Sequence, residues 1–161
     1  MERGKMGKID VKYIAKAGVI AAIYFAVTFL LGSVSYGPIQ FRLSEALVVL
    51  PMIEPAAIWG VFIGCLLANI GSPFGIIDIL GGSFVTLIAA YLTSKAKKFY
   101  QAILPPIILN ALFVSIWVSY FLKMPYYIVA IDIALSEAIV TGVFGYAVLI
   151  AYKRIKDRYS L

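Results

Sequence analysis

The sequence predicts an all-α integral membrane protein, a bundle of six transmembrane helices with both termini in the cytoplasm. Three observations predict it. First, the apolar fraction is 63% over 161 residues, against about 45–50% in soluble domains, and mean hydropathy is +0.97. Water cannot cover that much apolar surface on so short a chain, so its solvent is lipid. Second, glycine and proline breaks divide the chain into six apolar stretches. Third, 12 of the 14 Lys and Arg fall in three blocks, residues 3–16, 95–98 and 153–158. Six spans place all three blocks on one side, which the positive-inside tendency makes the cytoplasm. We read residues 1–161 as a single membrane domain, with about 1–10 as a cytoplasmic N-terminal segment and 153–161 as a cytoplasmic tail.

The first span runs over about 11–31. A loop at 33–41 follows, where Gly37-Pro38 must break any helix. The second span, about 43–53, stops at Glu54-Pro55, because proline disfavours helix in the residue before it. As an α-helix it would reach only about 16 Å, half a hydrocarbon core. Irregular backbone at that depth needs protein around it, so loop 33–42 is expected to dip inward and cover a site. The third span, about 56–70, ends in the turn Gly71-Ser72-Pro73-Phe74-Gly75. The fourth covers about 76–93, and the fifth about 102–122 with Pro105-Pro106 in its first turn, where proline is tolerated. The sixth covers about 126–152.

Composition also excludes functions. With no histidine, His-based triads and His-metal clusters are ruled out, and no nucleophile–base pair stands out, so we expect no enzyme, no metal and no cofactor. No GxxxxGK[ST] motif is present, so any ATP hydrolysis must come from partner subunits. The net charge of +6 reads as membrane orientation rather than nucleic-acid binding. Cys65 lies in an apolar run and behaves as a small hydrophobe.

Polar groups at membrane depth are the functional candidates, since each costs about 2.5–3.5 kcal/mol to insert. They are Gln40, Arg42 and Glu45 at the start of span two, Asn69 ending span three, Asp78 opening span four, and Asp132 and Glu137 in the first half of span six. In the six-span arrangement all lie in the outer half and describe an outward-facing pocket. Simpler readings stand beside this one. Arg42 and Glu45, three apart, would neutralise each other; Asp78 would complement a helix N-terminus; Asn69 and Asn110 would hydrogen-bond neighbouring helices. Glu54 is expected to be solvated at an inner turn. Glu137 has no basic partner in its own helix and is the strongest ligand candidate. Tyr36 and Phe41, in the covering loop, are the candidates to stack on a flat ring. Ala17, Gly18, Ala21 and Ala22 form small-residue ridges that either pack span one within its own bundle or dock another membrane subunit.

The run Tyr36-Gly37-Pro38-Ile39-Gln40-Phe41-Arg42-Leu43-Ser44-Glu45-Ala46-Leu47, with Leu50-Pro51 after it, resembles the signature of the queuosine-precursor transporter family, QueT. Residues 64–69, then Ser72-Pro73, Gly75 and Asp78, are similar too, as is the alanine-rich stretch 17–28. The resemblance implies the substrate-binding S component of an energy-coupling factor (ECF) transporter in the plasma membrane. Such a component captures a queuosine precursor or queuine outside the cell. The resemblance also implies a transmembrane coupling subunit, met by the small-residue face of helix one, and two ATPase subunits.

The polar residues suit that ligand class. A 7-deazaguanine presents N1–H and an exocyclic amine side by side, and one carboxylate accepts both. Glu137 or Glu45 would read that edge, with Asn69, Gln40 and Arg42 around it, and Asp78 or Asp132 would face the ring substituent. An S component for another vitamin or purine-like base, a small membrane enzyme, and a stand-alone proton-coupled carrier remain the competing readings.

Overall fold

The computed structural model describes residues 10–36 and 40–159, and among them every regular element is helical. Asp10 caps the first helix, α1 (Val11–Leu30), by accepting the Lys12 backbone N–H at 3.0 Å. A single turn, α2 (Gly32–Ser35), and a 3₁₀ helix (Leu43–Met52) follow. The remaining helices are α3 (Ala56–Asn69), α4 (Asp78–Thr93), α5 (Phe99–Leu122) and α6 (Tyr126–Arg158). The expected Gly37-Pro38 break and the first ten residues except Asp10 lie outside the described residues.

Among the described residues, α1, α5 and α6 are the helices long and apolar enough to cross a bilayer by themselves. At 1.5 Å per residue they measure about 30, 36 and 50 Å, against a hydrocarbon core of about 30 Å. The 3₁₀ helix, α3 and α4 are apolar but shorter. Outward faces carry Phe29, Leu30, Ile70, Phe84, Leu135 and Val143, which only lipid or another apolar partner solvates.

The second span is not the short α-helix expected. Its ten residues form a 3₁₀ helix, which rises about 2.0 Å per residue and so reaches about 20 Å. Ser44 through Pro51 are all buried. The helix is an axle at the centre of the bundle, touched by α1, α3, α4, α5 and α6. That burial explains why the run Ala46–Pro51 has no polar stripe: none of its side chains is exposed to water. Around the axle, α1 packs on α3, α3 on α4, α4 on α5 and α5 on α6, while α1 and α6 meet through the axle.

Glycines on α3 let α1 approach closely. A Cβ on Gly60 would lie 2.8 Å from the Ile20 Cβ, and one on Gly64 would lie 2.6 Å from the Tyr24 Cβ. Ala17 and Ala21 are buried in the same seam, whereas Gly18 and Ala22 face outward. The two small-residue ridges of α1 therefore separate: one closes the bundle and the other stays free, so Ala17 and Ala21 are not exposed for a partner.

Prolines 105 and 106 lie deeper than expected, because α5 starts at Phe99. Pro106 has no N–H to give the Ala102 carbonyl four residues back. Thr93 Oγ1 on α4 donates to that carbonyl at 2.9 Å instead.

Glu54, expected to be solvated, is 4% exposed. It accepts hydrogen bonds from Lys16 Nζ on α1 at 3.0 Å and the Tyr152 hydroxyl on α6 at 2.8 Å, with the Ala56 N–H at 3.3 Å. Lys156 Nζ on α6 stands 4.0 Å away and donates to the Ile53 carbonyl at 3.0 Å. Burial pushes the Glu54 pKa up, but these bonds outweigh it and hold the carboxyl below its usual range. The charge ties α1, the axle and α6 together at the basic end.

Candidate functional site

At the other end of the axle a small hollow lies among buried polar side chains. The axle and the residues before it contribute Gln40, Arg42 and Glu45; α4 contributes Gly82 and Thr86; α5 contributes Asn110 and Val114; α6 contributes Ile133 and Glu137. The space between them is about 10 Å³, room for one water molecule.

Three of these helices depart from α geometry here. Each carries one π turn, at Asp78–Gly82 in α4, Asn110–Val114 in α5 and Val140–Phe144 in α6. A π turn inserts one residue into the helical repeat and re-aims the side chains beside it. Gly82, Asn110 and Val114 lie on such turns, and Glu137 stands three residues before the third. Gln40 is a second irregularity, with φ 48°, a left-handed conformation that costs a non-glycine residue and is kept where the surroundings demand it.

Arg42 does not pair with Glu45, its neighbour in sequence. Its Nη2 donates to Asp78 Oδ2 at 2.9 Å. Asp78 also accepts Ser72 Oγ at 2.6 Å and Trp117 Nε1 at 3.1 Å. Both oxygens are engaged, so Asp78 holds Arg42 in place, and Asp78 does not border the hollow. Asn69 Nδ2 donates to the Asp78 backbone carbonyl at 2.8 Å and contacts Cys65 Sγ at 3.4 Å. It therefore supports the site from behind rather than lining it.

The two glutamates are each half engaged. Glu45 Oε1 accepts from the Tyr24 hydroxyl, and Glu137 Oε1 accepts from Asn110 Nδ2 at 2.6 Å. Their second oxygens have no partner, and neither do Gln40 Nε2 and Arg42 Nε, although all four atoms are buried. Buried polar atoms are ordinarily satisfied, and each exception costs about 1–3 kcal/mol. Four such atoms, two acceptors and two donors, belong to side chains that border one hollow.

The other expected site residues lie elsewhere. Asp132 is half-buried on α6 and does not border the hollow. The Tyr36 hydroxyl donates to the Ala68 carbonyl, and its ring lies 5.5 Å from the Arg42 guanidinium. Phe41 packs edge-on against Phe144 at 6.5 Å. Both rings buttress the site without facing the hollow.

A sequence profile of QueT transporters matches residues 14–154. The chain belongs to the QueT transporter family. It is thus a multi-pass membrane protein of a transport family, in keeping with its long apolar helices. A relative from Lactococcus lactis subsp. cremoris (strain MG1363), described as "Queuosine precursor transporter QueT", is 38% identical over 77 residues. That stretch spans 47% of this chain and 45% of the relative, about half of each. No solved structure matches.

Within this QueT chain, sequence reasoning did not single out Tyr24, Thr86 or Trp117 as site residues. Tyr24 and Thr28 continue the buried Ala17–Ala21 face, and Thr28 shares a 2.6 Å hydrogen bond with Ser44 on the axle. Polar residues on the packed face of α1 were the available signal. Asn110 was read as a contact between helices; it is one, to Glu137, but the π turn also brings it to the hollow.

Proposed function

We propose that this QueT protein is the substrate-capturing S component of an ECF-type importer, six spans with cytoplasmic termini, and that its hollow receives a flat 7-deazaguanine, a queuosine precursor or queuine. The observation that carries the reading is the set of four unpartnered buried atoms. Glu45 Oε2 and Glu137 Oε2 can accept the paired donors of a guanine-like edge, while Gln40 Nε2 and Arg42 Nε can donate to its O6. Asp78 already neutralises Arg42, so two carboxylates face the hollow without a cation of their own. Each offers one free oxygen, so between them they read N1–H and the exocyclic amine.

A base needs far more room than one water, so the axle, α5 and α6 must part to admit it. Gln40 is the hinge of that motion in our reading, since release from φ 48° relieves strain while its amide gains a partner. The occupied component then meets a transmembrane coupling subunit through the outward ridge of Gly18 and Ala22. Two ATPase subunits supply the energy for inward release.

The test is calorimetry on the purified chain against guanine, 7-cyano- and 7-aminomethyl-7-deazaguanine, and queuine. We expect saturable binding of at least one deazaguanine, stronger than guanine. No binding by any of them would end the proposal.

The two half-engaged carboxylates also suit a second reading, a proton-coupled carrier acting alone. Uptake into vesicles driven by a proton gradient without ATPase subunits would favour it.

A further inference from the structure

The first and last helices do not close on each other directly. Between them runs an apolar groove whose floor is the axle. It consists of two contiguous hollows, of about 440 and 260 Å³, which share Ile23, Leu47 and Val148. Val19 continues the α1 wall, and Phe144 and Ile155 mark its ends on α6. Eleven residues of helix separate those ends, about 16 Å, the depth of one leaflet in a hydrocarbon core about 30 Å thick.

One end is charged. Lys16 itself lines the groove. Lys12 lies one turn before it on α1, exposed, and Lys156 lies one turn beyond Tyr152 on α6. Glu54 balances one of these three charges through its bond to Lys16, so the mouth stays positive. Lys16 and Lys156 are 23% and 38% exposed, and an ammonium with one bond made keeps further donors.

We propose that the groove is a binding site for one anionic phospholipid, its acyl chain along the axle and its phosphate at the mouth formed by Lys12, Lys16 and Lys156. An apolar trough open along its length suits hydrocarbon. A positive mouth at leaflet depth selects a negative headgroup over a zwitterionic one, by about fivefold for each lysine engaged. The lipid completes the gap between α1 and α6 that the chain leaves unfilled.

The experiment uses the purified full chain in detergent, with phosphatidylglycerol and phosphatidylcholine of identical acyl chains. Native mass spectrometry should retain one phosphatidylglycerol per protein under activation that strips phosphatidylcholine, and phosphatidylglycerol should raise Tm further. Lys12→Gln, which breaks no contact in the bundle, should weaken the phosphatidylglycerol effect about fivefold and leave the phosphatidylcholine effect alone. Ala151→Phe, which fills the groove, should remove both; Ala147→Leu is the milder filler if that variant folds poorly. Equal retention of the two lipids, full phosphatidylglycerol stabilisation in a folded filled variant, or a lipid-free dimer that a filled variant converts to monomer would each overturn the proposal.

Discussion

Replacing Glu137 by glutamine is a sharper test of the hollow than a simple loss of charge. Asn110 Nδ2 donates to Glu137 Oε1 at 2.6 Å, and that bond fixes the orientation of whatever amide takes the place of the carboxylate. Only the oxygen of the new amide can accept from Asn110. Its NH₂ group must then occupy the position of the free Oε2, where we place the donors of the ligand. The substitution thus removes a charge-assisted hydrogen bond and sets donor against donor. A hydrogen bond to a charged group contributes about 1.5–3 kcal/mol, which is roughly a 10- to 150-fold rise in Kd. Calorimetry with the deazaguanine that binds best measures it, and an unchanged Tm and size-exclusion profile show that the fold survives. The double variant Asn110→Ala/Glu137→Gln frees the amide to rotate, so it should recover part of the loss, the non-additivity expected of two side chains in one hydrogen-bond network. A Kd within threefold of the parent in Glu137→Gln would remove this side chain from the site.

Asp78→Leu should lower stability by about 3–5 kcal/mol, because Arg42 is left as a buried, unpaired charge; Arg42→Met with Asp78→Leu should restore most of the Tm but no ligand binding, and equal Tm for the single and double variants would refute the pairing. Gly64→Val should lower Tm by forcing α1 off α3, at a cost of about 1–3 kcal/mol, since even a Cβ meets Tyr24 at 2.6 Å; Gly142→Ala, with open space at its Cβ, is the control and should leave Tm unchanged. The Glu54 carboxyl titrates below its usual range, so its stabilisation is complete above about pH 4.3, the unfolded value, and is lost as pH falls through the lower folded value. Tm measured from pH 7 to pH 3 should show that loss, and Glu54→Gln should flatten this part of the profile; parallel profiles would refute it.

How much of this was legible in the sequence depends on whether a residue's partner was near it in the chain. Glu45, Glu137, Gln40 and Arg42 could be singled out because charge and amide at membrane depth are costly wherever the helices go. What each would touch was not legible. Arg42 lies three residues from Glu45 but pairs with Asp78, 36 residues away, and no local rule anticipates that choice. Asp78 reads as a ligand group because its acidity is visible while the Ser72 and Trp117 donors that engage it are not recognisable as such. Glu54 looked solvated because it follows a turn; its partners on α1 and α6 are 38 and 98 residues distant. The π turns and the 3₁₀ axle leave no residue-type signature, since they answer packing on several sides at once. The α1 ridges were legible as ridges, and only the position of Gly60 and Gly64 opposite one of them decided which faced inward.

The axle has one more consequence. The axle runs from Glu45, at the hollow, to Met52, two residues before Glu54 at the ionic knot on the basic side. Wound as 3₁₀, those seven steps span about 14 Å; wound as α they would span about 10.5 Å. The bundle thus holds its central rod in a drawn-out state, with a carboxylate anchored at each extremity. A change of winding along the axle would shift one end relative to the other by up to about 3.5 Å along the axis.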